Sequence, residues 1–118
     1  MRSDEFKEFA TDALVELGQP AVEKLLAALK DKDEVVRKQA VIALGQIKDS
    51  TSLDSLIEML EDKDWFTRIQ AAAAIEAIHD DRGKDAIKAL LKDPDEVVRM
   101  RAERIIAGWK KRPEAATA

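Results

Sequence analysis

The sequence predicts an all-α protein built as a stack of repeated helix pairs, and three observations predict it. The segment Asp33-Glu34-Val35-Val36-Arg37 returns unchanged as Asp95-Glu96-Val97-Val98-Arg99 and in looser form as Asp64-Trp65-Phe66-Thr67-Arg68, with 31 residues between successive arginines. A fixed period of this length marks a repeat whose unit is too small to bury its own apolar face and buries it on its neighbours. Apolar residues recur at helical spacing in each copy. A charged fraction of 37% with only 4% aromatics suits helices that expose long polar flanks.

The first helix is expected over Asp4 to Leu17, with Ser3 as N-cap and Phe6, Ala10, Ala13, Leu14 and Leu17 as its apolar stripe. Gly18 suits a left-handed helix end, and Pro20 opens the next helix, which runs to about Lys30 with Val22, Leu25, Leu26 and Leu29 on one face. After the turn Asp31-Lys32-Asp33, a long helix to Ile47 turns Val36, Ala40, Ala43, Leu44 and Ile47 inward. Thr51 with Asp54 three residues on reads as a capping box. It opens a helix to about Glu61 whose stripe, Leu53, Leu56, Ile57 and Leu60, lies 31 residues after its counterpart. The second long helix, Asp64 to Ile78, turns Thr67, Ala71, Ala74, Ile75 and Ile78 inward.

Asp80 to Gly83 is expected to turn the chain into a short helix from about Lys84 to Lys92. That helix keeps Ile87 and Leu91 inward but carries Lys84 and Lys88 at the other stripe positions, so it should be the least buried of its kind. The last long helix, Asp95 to about Lys110, places Val98, Ala102, Ile105, Ile106 and Trp109 inward. The count is seven helices. They form one domain over 1–112, and the residues after Pro113 have nothing to bury and are expected to be disordered. Glu103 stands where Val41 and Ala72 stand in earlier copies, so a charge marks the terminal unit of the stack. Trp109, standing where Ile47 and Ile78 stand, is expected to be a lid on that open end.

Composition bounds the function. Cysteine is absent, which removes disulfides, thiolate metal sites and cysteine nucleophiles. No apolar run approaches the roughly 20 residues of a membrane span, and Met1 to Glu5 lack the apolar core of a signal peptide. The expectation is a soluble, cytoplasmic monomer. A net charge of -4 argues against a general nucleic-acid binder. The charge is uneven, however: acids exceed bases by 12 to 8 through Leu60 and balance at 12 each afterwards. The last helix and tail gather Arg99, Arg101, Arg104, Lys110, Lys111 and Arg112, which reads first as a helix end complementing its dipole.

An aspartate, then valine-arginine, then alanine three on, then alanine-leucine-glycine, as in Asp33, Val36-Arg37, Ala40 and Ala43-Leu44-Gly45, resembles the HEAT-like repeats of the phycobilin-lyase type. The likeness covers about residues 5 to 110. The second copy departs from it with Thr67 and Glu76, and the third with Ile105-Ile106-Ala107. The resemblance implies a right-handed α-solenoid of about three and a half helix pairs, with the short helices on the convex face and the Val-Arg helices on the concave one. Such relatives include bilin lyase subunits, scaffolds, DNA alkylation-repair proteins and hydroxylases, so the motif specifies fold far better than function.

The candidate functional residues fall into two sets. Arg37, Arg68 and Arg99 are expected to form a structural ladder with turn aspartates that also cap helices, Asp33, Asp64 and Asp95, while Asp62 and Asp93 stand in the same turns. The outward face of the long helices is unusually apolar for a solvated surface. Ile42, Phe66, Ile69, Ala73, Val97 and Met100, with Trp65 at the edge and Lys38, Gln70, Arg101 and Arg104 at the rim, form a candidate patch centred on Ile69. His79, the sole histidine, sits at a helix end and is expected to be solvated. No phosphate loop, nucleophile with a histidine base or metal-ligand set can be assembled.

A non-catalytic protein-interaction scaffold without metal or cofactor is therefore expected, holding an unknown protein partner on the concave face. The alternatives are a bilin lyase-like accessory subunit acting with a partner chain, and nucleic-acid binding through the basic last helix.

Overall fold

The computed structural model describes residues 21–109. The expected first helix over 4–17, Lys110 to Arg112 and the expected tail lie outside the described residues. Within them the chain forms six α-helices and no strand: α1 (Val22–Ala28), α2 (Glu34–Ile47), α3 (Leu53–Glu58), α4 (Trp65–Ile78), α5 (Asp81–Ile87) and α6 (Glu96–Gly108). The seventh expected helix is the one outside this span. Single 3-10 turns over Ser50–Ser52, Met59–Glu61 and Lys88–Lys92 tighten the ends of the short helices.

The helices form two layers. Long helices α2, α4 and α6 pack side by side in chain order, α3 and α5 pack on each other behind them, and each short helix leans on the long helix that follows. The predicted stripe is the core: Val36, Ala40, Ala43 and Leu44 on α2, Ala71, Ala74, Ile75 and Ile78 on α4, and Val98, Ala102 and Ile105 on α6 are all buried. Thr67, replacing a valine of the other copies, is fully buried as well. Its hydroxyl donates to Asp64 Oδ2 at 2.8 Å, so no polar atom is stranded.

Each long helix begins on an aspartate in extended backbone whose carboxylate accepts from the first free amides. Asp33 takes Val35 N at 2.8 Å, Asp64 takes Thr67 N at 3.0 Å and Asp95 takes Val97 N at 2.8 Å. The same device opens the short helices and corrects the expected capping box. Asp49, not Thr51, is the cap before α3, accepting from both the amide and the hydroxyl of Thr51 at 2.9 Å. Long helices α2 and α4 end on left-handed residues that are not glycine, Lys48 (φ 60°) and His79 (φ 58°).

Three further expectations change. Asp80 caps α5, so the helix starts at Asp81, three residues ahead of the expected Lys84. This rotates the short helix: Gly83, Ile87 and Leu90 are buried, while Leu91, expected inward, is 39% exposed. A Cβ on Gly83 would stand 2.3 Å from Ile75 Cγ2, so glycine is what lets α5 lie on α4. Gly45 is buried; its missing Cβ would meet the Cα of Ala74 at 2.9 Å, and α2 and α4 touch there nearly backbone to backbone.

Trp109 does not cover the open end. It caps α6 and turns back onto the preceding repeat, stacking on His79 with ring centroids 4.5 Å apart and donating Nε1-H to Asp81 Oδ1 at 3.0 Å. His79 is consequently half-buried rather than solvated.

Candidate functional site

The repeated arginines work in the turns. Each sends Nη1 to a carbonyl of the turn that precedes its own helix: Arg37 to Asp31 O (2.8 Å) and Lys32 O (3.1 Å), Arg68 to Asp62 O (2.8 Å), Arg99 to Asp93 O (2.6 Å). The Nε edge reaches forward to the next turn. Arg37 Nε meets Asp62 Oδ1 at 2.9 Å, and Arg68 meets Asp93 through Nε (2.8 Å) and Nη2 (3.0 Å). Arginine-aspartate pairs thus form at Arg37 and Arg68, through Asp62 and Asp93 of the acids expected nearby and not through the cap aspartates. Asp33, Asp64 and Asp95 spend their carboxylates as helix caps, and it is Asp62 and Asp93, two residues earlier, that receive the guanidinium.

Those carboxylates do double duty, since Asp62 Oδ2 also accepts from Asp64 N and Asp93 Oδ1 from Asp95 N. The third rung departs from the expectation. Arg99 keeps its carbonyl, but no carboxylate among the described residues lies within ion-pair distance of it.

Charge and burial compete at Asp93. Burial alone pushes its carboxyl up, but the hydrogen bonds from Arg68 and the Asp95 amide, with the charges of Arg68 and Arg99, outweigh it and hold the group below the ordinary carboxylate range. Asp64 behaves alike. Burial raises it; the Thr67 hydroxyl and amide, the charge of Lys38 and the Phe66 amide bring it down further than burial lifts it. Both shifts favour the ionised caps and crosslinks of the native state.

The outward face of the long helices carries the candidate patch in altered form. Trp65 (44%), Phe66 (36%), Val97 (52%) and Met100 (60%) are the large exposed apolar side chains of these helices. Trp65 and Phe66 meet edge to face with centroids 5.6 Å apart, and Lys38 Nζ lies 5.1 Å over the Phe66 ring. Ile42 and Ala73 are half-buried and line a shallow groove of about 300 Å³ between α2 and α4, with Gly45, Gln46, Gln70 and Ala77. Arg101 is half-buried and Arg104 exposed.

Ile69, the expected centre of the patch, is buried, with 3% of its surface accessible. Met100, its counterpart 31 residues on, is 60% exposed, so the two equivalent positions differ in burial. Met100 is exposed, as Phe66, Trp65 and Val97 are, while Ile42 and Ala73 are half-buried beside them. Val97, which matches Phe66 at the 31-residue spacing and belongs to the expected patch, is exposed.

Among the described residues no group of three or more His, Asp or Glu side chains is gathered as a metal site requires, and no helix is long and apolar enough to cross a membrane. The geometry is that of a stacked helical-repeat protein whose turns are tied by arginine-aspartate crosslinks. The family model for HEAT repeats matches residues 2–76 and 22–107, nearly the whole sequence, and the chain belongs to the HEAT repeat family. That match is to HEAT repeats in general. No curated protein matches the sequence.

Proposed function

We propose that the chain is a non-catalytic protein-interaction scaffold, a right-handed solenoid that holds a segment of a partner protein against the outer face of α2, α4 and α6. The observation that carries this is the exposure of Trp65, Phe66 and Val97 at matching heights on adjacent helices of a family that serves broadly as interaction scaffolds. Exposed aromatic pairs of this kind are the usual energetic centre of an interface. A face built on packed helices presents them at fixed spacing, so recognition costs little ordering entropy. The groove between Ile42 and Ala73 offers room for one aliphatic side chain of the partner beside the aromatic pair.

The test is affinity capture from source lysate with the wild type and with Phe66→Glu, both checked for equal helicity and melting temperature. Partners held by the wild type and lost by the variant support the reading. Identical sets retained by both place the site elsewhere.

A further inference from the structure

We infer that the partner segment presents a basic side chain, arginine ahead of lysine, to the indole of Trp65, with Glu34 and Glu96 on its two flanks and an apolar neighbour laid on Phe66 and Val97. The inference rests on the reading of the outer face as an interface, and it names the chemistry which that face selects.

Trp65 is out of step with its own repeat. Glu34, Trp65 and Glu96 are the first residues of α2, α4 and α6, each directly after a capping aspartate. An acid at that place complements the positive end of the helix dipole, and two of the three copies carry one. Helix α4 gives up this complement for an indole, and it also has phenylalanine where Val35 and Val97 stand. Packing does not account for the exchange. Trp65 is exposed, and the ring it meets is that of Phe66, itself exposed. An aromatic pair left open to water in this way marks a contact surface.

The flanking positions supply the charge. Helices packed side by side lie about 8–10 Å apart, and the turns that precede them are held in place by the crosslinks from Arg37 to Asp62 and from Arg68 to Asp93. Glu34 and Glu96 therefore stand one helix away from Trp65 on either side, at its own height. Both are exposed, and among the described residues neither is in an ion pair. The bases close by do not neutralise them. Arg37, Arg68 and Arg99 are bound to turn carbonyls, the first two also to aspartates, and Lys38 lies over Phe66. Lys32 and Lys63 remain, in turns where residues 31–34, 62–65 and 93–96 together hold eight acids.

Lys38 shows the same chemistry inside the molecule, with its ammonium 5.1 Å over the Phe66 ring. Indole is the stronger cation acceptor of the two rings, and among the described residues no cation stands over it. Arginine suits the place better than lysine, because a planar guanidinium stacks on indole while its N–H edges stay free for carboxylates on both sides. An acidic side chain there would meet two like charges, so the site also discriminates by repulsion. The next row along the helices, Val35, Phe66 and Val97, is apolar, which sets an apolar residue beside the base in the partner.

The probe is a library of random dodecapeptides selected on the full chain, with the affinity of individual peptides read by fluorescence anisotropy. Peptides that Phe66→Glu weakens by about tenfold or more are expected to carry arginine or lysine next to an apolar residue. Replacing that base by alanine in the peptide, or Trp65→Ala in the protein, should weaken binding by about tenfold or more. Glu34→Gln together with Glu96→Gln should weaken it by about threefold or more and flatten the fall in affinity between about 50 and 500 millimolar salt. Phe66-dependent peptides that lack a base, or whose affinity and salt dependence ignore the glutamine pair, overturn this inference and leave the scaffold reading standing. Failure to select any peptide, or selected peptides that ignore Phe66→Glu, overturns both. A melting temperature lowered by more than about 5 °C in Trp65→Ala would give the indole a packing role and overturn its place in the site.

Discussion

Arg68 and Asp93 are joined by two parallel hydrogen bonds, Nε to Oδ2 at 2.8 Å and Nη2 to Oδ1 at 3.0 Å, across the junction between one repeat and the next. The equivalent Arg37 and Asp62 share only one, and Arg37 Nη2 is buried with no partner. Both pairs are largely shielded, with side-chain exposures of 12% and 5% for the first and 10% and 9% for the second. They are thus worth more than surface ion pairs. Arg68→Ala would leave Asp93 without its countercharge and is expected to lower unfolding free energy by about 2 kcal/mol or more. Arg99→Ala, which removes a carbonyl contact alone, should cost about 1 kcal/mol. Urea unfolding of both variants checks this; equal losses would mean that the carboxylate arm contributes nothing.

The same junction sets a pH dependence. Asp93 and Asp64 have folded-state carboxyls below the ordinary value, so the unfolded chain binds their protons more tightly than the folded one. Their stabilisation is complete above the unfolded value near 3.8 and is lost as pH falls through the lower folded values. Urea midpoints from pH 7 down to pH 2.5 should hold steady to about pH 5 and then decline. Asp93→Asn should start lower at pH 7 and decline less steeply. An acid limb identical to the wild type would remove Asp93 from the linkage.

Close helix contact makes the third prediction. At Gly45 a Cβ would come within 2.9 Å of both Cα and Cβ of Ala74, and a backbone atom cannot swing aside. Gly45→Ala is therefore expected to destabilise by about 1–3 kcal/mol through forced separation of α2 and α4. Gly108, the last residue of α6, has nothing within 4 Å of such a Cβ. Gly108→Ala should be neutral or stabilise by about 0.5 kcal/mol by restricting the unfolded chain. Thermal melts of the two variants separate the cases, and a harmless Gly45→Ala would show that the helices are free to part there.

Helix order and core were legible because both are carried by period. Residues 31 apart meet equivalent neighbours, so Val36, Thr67 and Val98 are buried together. Elements without that symmetry were not legible. The acid that meets each arginine stands two residues from the acid that caps the next helix, and only the cap geometry decides which is used. The short helix α5 starts early because Asp80 caps it, a local event that overrides the register read from Leu53. Flank positions such as Ile69 depend on whether a neighbouring helix lies over them, which a helical wheel of α4 alone does not contain.

Ile69 and Phe66 give the sharpest test of the face assignment. They lie three residues apart on α4, nearly one turn, yet Ile69 is 3% exposed and Phe66 36%. A carboxylate at Ile69 would be buried in an apolar setting, and the lost apolar burial adds to that cost, so Ile69→Glu is expected to destabilise by about 4 kcal/mol or to unfold the chain. At Phe66 the new carboxylate reaches water and stands near Lys38, whose ammonium now lies over the ring at 5.1 Å and would exchange a cation–π contact for an ion pair. Phe66→Glu should therefore change stability by about 1 kcal/mol or less while removing an aromatic anchor of the proposed interface, a loss of roughly tenfold or more in partner affinity. Circular dichroism melts read the first quantity and titration of a captured partner the second. A folded Ile69→Glu with a wild-type melting temperature would return Ile69 to the surface, and a Phe66→Glu that unfolds would place Phe66 in the core.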